Sequence, residues 1–331
     1  MKLNTLTCCL FFFVCSAVFA VEPIRLEYQF ELGREMTYLI EEEREQLSEI
    51  VGEPLTKFVT RETTVLQLVP RVEQADGMTL FDFEIEQDTE ETIMTESSDG
   101  KGWDPIDQEQ PELPLSGIEQ PIRGTILVSK TGEVSEVKAD LIRREKTSEG
   151  GAAEPPEMSI EMAMESARQS LGNSLRIVYP ILNGREVEAG DTWKQDFNDE
   201  ASAESEPEEP ESGEIVHYVP EANIQYLGQV EENGRTFARL TFEVKGKYSV
   251  ETEEETVQTL FTETIDKGSS EWLIDFNRGE IARAKYEMIS HGDIVTEYGS
   301  ISKAPELINI ESNKLKSVTT IKLVKDYKSN R

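Results

Sequence analysis

Apolar side chains recur at every second position through most of this chain, which restricts it to strands with one buried and one wet face. Leu26, Tyr28 and Phe30 alternate with Arg25, Glu27 and Gln29, and Met36, Tyr38 and Ile40 repeat the alternation after Gly33. Successive side chains of a strand point to opposite faces, so a period of two is the signature of a half-buried sheet. Further strands are expected at Thr63–Val72, Met78–Gln87, Thr89–Thr95, Gly124–Lys130 and Glu133–Lys138, with Asp76-Gly77 and Thr131-Gly132 as turns. The alternation resumes at Ala222–Val230, Thr236–Val244, Thr256–Thr264, Glu271–Phe276 and Ile281–Ser290. Residues 41–51 also fit one face of a helix through Leu47, Ile50 and Val51, but read better as a long acidic strand.

Between these runs the composition changes. Gly100, Gly102, Pro105, Pro111, Pro114 and Pro121 make residues 97–121 an irregular excursion, with Trp103, Leu113 and Leu115 attached to the body. A Gly/Ala/Pro linker from Ser148 to Pro156 leads into one helix, in which Ile160, Ala163, Met164, Ala167, Leu171 and Leu175 recur at steps of three and four. Glu200–Glu214 interleaves glutamates with Ser and Pro and reads as a disordered loop, having too little apolar area to offset chain entropy. Ile308–Arg331 reads as a basic, weakly patterned tail.

Two stretches look like copies. Val72–Leu80 parallels Val230–Phe237 around their turns, and Ile126–Val134 parallels Leu273–Ile281. Gly33 before Tyr38 and Gly190-Asp191-Thr192-Trp193 stand at matching places ahead of each set. The fold expected is therefore mainly β with one helix: a duplicated antiparallel sheet or open barrel with the helix packed on its concave face. Residues 21–147 form the first β half, 148–176 the linker and helix, 177–307 the second half with the acidic loop 200–214, and 308–331 the tail. The repeated turns, with Gly190-Asp191-Thr192-Trp193 following a helix and a short Pro-containing link, resemble an uncharacterised family of exported bacterial β-rich domains of unknown function. That resemblance covers roughly residues 24–292. Proteins of this kind are similar in architecture to the open-barrel lipoprotein carriers, whose curved sheet cups a lipid against helices. The resemblance brings no catalytic residues with it.

Lys2, the apolar run Leu10–Val14 and the small residues up to Ala20 compose a signal peptide, cleaved after Ala20. The run is followed at once by Glu22, Pro23 and Arg25, which is too short a span for a membrane anchor. All three cysteines, Cys8, Cys9 and Cys15, lie within it, and neither Cys8 nor Cys15 follows the small residue that lipidation requires. The mature protein is then an exported, periplasmic or extracellular chain without disulfides, peripheral at most to a membrane. The full chain's 66 acidic against 33 basic residues give a net charge of −33, which excludes nucleic acid as a partner, because binding phosphates needs a basic face.

Catalytic and metal chemistry find little to work with. The two histidines, His217 beside the acidic loop and His291 in a turn-like His291-Gly292-Asp293, read as surface or turn residues. There is no HExxH, paired-cysteine or G-x-S-x-G motif. Asp275-Phe276-Asn277-Arg278-Gly279 opens like a calcium loop but lacks the closing acid, since Tyr286 stands there, so it reads as a hairpin turn. Glu-x-Glu pairs are too numerous for any one to be singled out. No cofactor or metal is implied. The expectation is a non-enzymatic exported protein that binds an apolar small molecule or an envelope partner, or else a structural or protein-interaction module of the cell envelope with no small ligand, with an enzyme of unrecognised type third. Trp193, Trp272, Phe83, Phe242 and Met164 are the candidate apolar-ligand wall, with core packing the plainer role for such side chains. Terminal sequencing of the exported protein is expected to give Val21 as the first residue, with the same gel mobility in the presence and absence of reductant. A retained Met1 or a fatty-acylated Cys15 overturns this.

Overall fold

The computed structural model describes residues 23–97, 101–106, 121–140, 178–196, 215–253, 257–298 and 307–324. They are almost all strand: β1 (Ile24–Arg25), β2 (Met36–Ile50), β3 (Thr56–Glu73), β4 (Thr79–Glu96), β5 (Trp103–Pro105), β6 (Ile122–Val128), β7 (Val134–Asp140), β8 (Glu186–Val187), β9 (Thr192–Asp196), β10 (Ile215–Glu232), β11 (Arg235–Glu253), β12 (Val257–Asp275), β13 (Glu280–Tyr298) and β14 (Leu307–Leu323). No helix occurs among the described residues; the helix expected over 155–175, Leu113, Leu115, the acidic loop and the signal peptide lie outside them. The fold is mainly β and antiparallel, as the alternation requires.

The main sheet runs β7-β6-β4-β3-β2-β14-β13-β12-β11-β10-β9, with β5 attached to β4. Several expected strands fuse. Met78–Gln87 and Thr89–Thr95 are one strand, β4, and Thr256–Thr264 joins Glu271–Phe276 as β12, because no residue between them prevents extended backbone. The acidic stretch after Ile40 continues β2, its register with β3 unbroken from Met36↔Leu68 to Ser48↔Thr56. Two readings are corrected. Residues 26–30 are not a strand of the large sheet, since their amides bond to turns. The expected tail is β14, which pairs β13 on one side and β2 on the other and joins the two sets of strands.

Two adjacent amides show that the sheet is rolled. Tyr28 N–H donates to Lys130 O (2.7 Å), in the β6–β7 turn, and Gln29 N–H donates to Phe276 O (2.8 Å), in the β12–β13 turn. Between β6 and β13 lie β4, β3, β2 and β14; in a flat sheet these five steps would hold the turns roughly 24 Å apart. Consecutive residues span only about 3.8 Å, so both turns must bend inward onto the 26–30 segment. The resulting core takes buried side chains from strands across the sheet, including Ile126 and Val134 near one edge and Ala222, Ile224 and Tyr226 near the other.

At the centre of this core Tyr28, Tyr179, Phe30 and Phe81 meet edge to face or stacked, Tyr28 and Tyr179 with ring centroids 5.3 Å apart. The phenols have polar partners, as buried hydroxyls need. Tyr28 donates to Pro180 O (3.2 Å) and Tyr179 to Gly279 O (3.4 Å), while Tyr38 accepts from Ile281 N–H (3.3 Å). Burial raises the pKa of all three hydroxyls, so they stay neutral. The turns come so close to this plug that side chains are excluded. A Cβ on Gly132 (φ +89°) would lie 2.6 Å from Pro180 O, and one on Gly279 (φ +60°) would collide with the Phe30 ring.

The sequence similarities occupy corresponding places in the sheet. Gly33 N–H donates to Pro70 O (2.7 Å) and Gly190 N–H to Tyr226 O (2.8 Å), each beside a bulge in the neighbouring strand. One electrostatic clasp has no counterpart. Glu280, fully buried, receives Arg34 at 2.6 Å and also Arg235, which bonds Asp275 at 2.5 Å and lies over the Phe237 ring. A buried carboxylate persists only when paired this way, and the pair fixes Arg34, just ahead of β2, to the β12–β13 hairpin. Urea unfolding is expected to show Ile321→Ala, on the inner face of β14, losing about 2–4 kcal/mol. Exposed Lys314→Ala on the same strand should lose under about 0.5 kcal/mol. Equal, small losses from both would show that β14 is not a joining strand.

Candidate functional site

The packed core occupies only the end of the sheet where β2 begins and β3 ends. Along the inner face of β2 the sequence Met36, Tyr38, Ile40 gives way to Glu42, Arg44, Gln46 and Ser48. The inner row of β3 runs from Leu68, Leu66 and Thr64 to Glu62, Thr60 and Phe58, and that of β4 from Ile85 to Gln87, Thr89 and Glu91. On β14, Ile321 is succeeded by Thr319, Ser317, Leu315, Asn313 and Glu311. The strands thus continue well past their core with an inner face of half-buried polar groups. Next to β14 in the sheet, β13 and β12 contribute Tyr286, Met288, Ile294 and Ile265, all partly accessible.

Hydrogen bonds order the polar wall. Ser317 donates to Glu42 Oε1 (2.9 Å), Arg44 to the same oxygen (2.9 Å), and Thr64 to Glu62 (3.2 Å). Farther out Ser48 donates to Glu311 (2.8 Å) and Gln46 to Asn313 (3.1 Å), and on the neighbouring β12–β13 pair Ser290 donates to Glu263 (2.6 Å). Glu42 and Glu62 are register partners on adjacent strands, so two carboxylates face each other where water is scarce. Burial first, then the Glu42 charge, raises the pKa of Glu62, and Gln87, Thr64 and Arg44 oppose the shift. The Gln87 Oε1 atom is buried with no hydrogen-bond partner among the described residues. The inner surface beyond the core is therefore rich in hydrogen-bond acceptors on β2, β3 and β4, with partly accessible apolar side chains on β12 and β13.

The outer face of β2 and β4 is rich in carboxylates. Asp82, Glu84, Glu86, Asp88 and Glu90 take successive outward positions on β4, and Glu41, Glu43, Glu45 and Glu49 stand outward on β2 together with Leu39 and Leu47. Basic side chains gather instead on β11 to β14, where Arg239 bonds Glu271 (3.1 Å), Lys285 bonds Glu287 (2.7 Å) and Lys322 bonds Glu41 (3.3 Å). A hollow of about 590 Å³ lies there, lined by Glu243, Glu271, Leu273, Arg283, Lys285 and Lys322 among others.

The expected ligand wall is dispersed into the core. Phe242 and Trp272 touch edge to face with centroids 6.0 Å apart, and Phe83 is buried in the same cluster. Trp193, on β9, packs partly buried against it, its indole N–H without a partner among the described residues; Met164 lies outside them. His291 is not in a turn. It sits mid-β13, exposed, its Nδ1 2.8 Å from Asp266, and Gly292 beside it leaves room for the Thr262 carbonyl. His217 is in β10 opposite Ser249. Asp275–Gly279 is a hairpin turn, as expected, with Asp275 held by Arg235. Trp103 is attached through β5 to β4, half-exposed, with Lys57 Nζ 5.7 Å from its ring centroid. Among the described residues no group of three or more His, Cys, Asp or Glu is placed to hold a metal ion. The polar wall was missed in the sequence, although its signal is there: polar residues interrupt the inward half of the alternation at Glu42, Glu62 and Gln87.

No protein-family model matches the chain and no curated protein matches it. Solved structures give distant likenesses. The crystal structure of Pseudomonas aeruginosa OpdQ is 8% identical over 88% of this chain and 100% of that one, with a TM-score of 0.24. Pseudomonas aeruginosa OccK2 (OpdF) in complex with glucuronate is 7% identical over 91% and 100%, TM-score 0.23. A mutant of the Rh. blastica porin is 9% identical over 87% and 100%, TM-score 0.14. Likenesses this loose carry no argument about fold or function. They do not support the resemblance to lipoprotein carriers, nor does any family model support the uncharacterised exported family.

Glu62 makes stability depend on pH in a defined direction. A carboxyl whose folded pKa is raised binds its proton more tightly folded than unfolded, so stability rises as pH falls through the folded value and the gain is complete below the unfolded one. Glu62→Gln is therefore expected to stabilise the protein at neutral pH and to flatten the rise in denaturant midpoint on acidification from neutrality toward pH 4.5. An unchanged pH profile in that variant would show Glu62 to be fully solvated.

Proposed function

We propose that the chain is an exported, non-enzymatic binding protein that holds a ligand on the inner face of its rolled sheet, beyond the packed core. The observation that carries this is the inner row Glu42, Glu62, Gln87 and Ser317 lying beside the accessible apolar Met288, Ile265 and Ile294, with Ser317 the register partner of Met288. Hydrogen-bond acceptors next to apolar side chains along one inner surface suit an elongated amphipathic molecule with donor or cationic groups along one side. Charge supports an aqueous setting. A membrane-spanning barrel needs an apolar outward band about 25 Å tall, and here the outward rows of β2 and β4 are interrupted by nine carboxylates, Glu41, Glu43, Glu45, Glu49, Asp82, Glu84, Glu86, Asp88 and Glu90. This reading places the protein on the exported side of the envelope, in water, and gives it no catalytic role.

Native mass spectrometry of protein purified from its own host tests it. A retained mass is expected, reduced at least fivefold by Met288→Arg, which blocks the apolar wall, and unaffected by Lys314→Ala on the outer face. If the wild type carries no mass, or Met288→Arg leaves the mass in place, the reading fails and a purely structural role takes its place.

A further inference from the structure

Charge is segregated around the outside of the rolled sheet. On the outward face of β2 to β4, nine carboxylates meet only Lys57, Arg61 and Arg71. The outward face of β11 to β14 is the reverse: its described side chains include nine basic ones against five acidic ones, Glu243, Asp266, Glu271, Glu287 and Asp293. In a chain with 66 acids to 33 bases, this inversion is confined to four adjacent strands.

Toward the core end the basic side chains are answered. Arg239 bonds Glu271, Arg283 bonds Glu232 and Lys322 bonds Glu41. Farther along, the register lines lysines up in two neighbouring rows. Lys267, Ile289 and Lys316 are cross-strand partners in one, and Lys247, Thr264, His291 and Lys314 in the next, with Lys245 beside them at the β11 bulge. Lys245, Lys247, Lys314 and Lys316 are exposed and have no carboxylate partner among the described residues. The carboxylates nearby are engaged, Asp266 by His291, Asp293 by Ser312, and Glu287 by Lys267 and Lys285. Apolar side chains stand out among them. Ile289 is 39% exposed, and Leu260 and Ile310, two rows beyond the second lysine row, are 40% and 41% exposed.

We propose that this face docks on a negatively charged bilayer surface, with Lys245, Lys247, Lys267, Lys314 and Lys316 among the headgroups and Ile289, Leu260 and Ile310 at the acyl boundary. Lysines interleaved with exposed apolar side chains fit a surface that offers anionic groups and hydrocarbon in one plane. A second copy offers the opposite charge through its acidic strands, but no exposed large hydrophobic stands among Glu41–Glu49 or Asp82–Glu90 to cover those three. The net charge of −33 does not prevent approach. Next to β14, β2 sets Leu47 opposite Lys314 and pairs Glu45 with Lys57. The acidic β4 lies three strand steps from β14, roughly 14 Å along the sheet and beyond the screening length of about 8 Å at physiological ionic strength. Opposed faces also turn the molecule basic side first. The protein stays in water and touches the membrane with one side of the roll. This face is separate from the inner wall proposed above, and its failure leaves that reading standing.

Flotation of the full mature chain with vesicles of phosphatidylglycerol and phosphatidylcholine in equal parts tests this. Binding is expected there and not to phosphatidylcholine alone. It should be released as salt shortens the screening length from about 10 Å at 0.1 M to about 3 Å at 1 M. Lys245→Glu with Lys316→Glu should weaken binding about tenfold or more, since each basic side chain near an anionic surface adds to the attraction. Lys247→Gln with Lys314→Gln, a second pair that adds no acid, should also weaken it. Ile289→Ser alters no charge and should weaken it severalfold, as a bilayer requires and a soluble polyanion does not. Arg123→Glu with Lys138→Glu makes the same change in net charge on β6 and β7, and should bind as the wild type does. Equal binding to phosphatidylcholine vesicles, no binding, an unaffected Ile289→Ser, or an equal loss in the β6–β7 pair overturns the proposal. Concentration-dependent sedimentation that Lys245→Glu with Lys316→Glu abolishes gives the face to a second copy, and overturns it as well.

Discussion

Everything in this fold depends on two neighbouring amides, those of Tyr28 and Gln29, which bond two turns that a flat sheet would hold far apart. Twist alone curls an antiparallel sheet but leaves its radius undetermined. Here the radius is set by what the 26–30 segment can touch: Lys130 on one side, Phe276 on the other, and Tyr179 against the Tyr28 ring. Gly132 and Gly279 let the turns close to backbone contact. The described residues contain no cysteine, so this small plug does the work that a cross-link does in disulfide-bonded domains.

The charge of −33 is distributed so that the sheet can tolerate it. Glutamates of β2 alternate outward between strands that carry Lys57, Arg61 and Lys322, giving cross-strand pairs Lys57–Glu45, Arg61–Glu43 and Lys322–Glu41. Exposed pairs of this sort add little stability individually, but they prevent like charges from standing opposite each other across the ladder, which is destabilising. β14 owes its central position partly to this. A lysine-bearing strand beside the acidic β2 relieves repulsion that another acidic strand would compound.

That same strand shows where sequence reading stops. Strands with a buried apolar row, such as Phe81-Phe83-Ile85 or Ala238-Leu240-Phe242, were legible from alternation alone, because hydrophobic burial and the period of two coincide in them. β14 was read as a tail since only Ile321 and Leu323 at its end enter the core, while Ser317 and Thr319 are buried as polar residues that carry no such signal. Residues 26–30 erred the other way. Their alternation is genuine, but the apolar side chains point into the middle of a roll rather than onto a sheet face, and local pattern does not distinguish these. The polar wall stayed hidden for a related reason: carboxylates are so common here that Glu42 and Glu62 became a pair only when the β2–β3 register placed them opposite each other.

The register also exposes a conflict between stability and something else. Glu62 loses solvation, faces Glu42, and lies one inward step from buried Thr64 and two from Leu66. A sheet under selection for packing alone has a simple improvement available, a leucine or threonine at either position, which removes both the desolvation cost and the repulsion. Glu280, by contrast, is fully buried yet answered by Arg34 and Arg235, as a structural carboxylate must be. The two cases separate by their partners. Glu280 is compensated from within the chain, whereas Glu62 is compensated only by Thr64, Gln87 and a more distant Arg44, and keeps a raised pKa. Local rules broken without internal compensation concentrate where a protein meets something other than itself, and that is the support Glu62 lends to the inner wall proposed above as a ligand site.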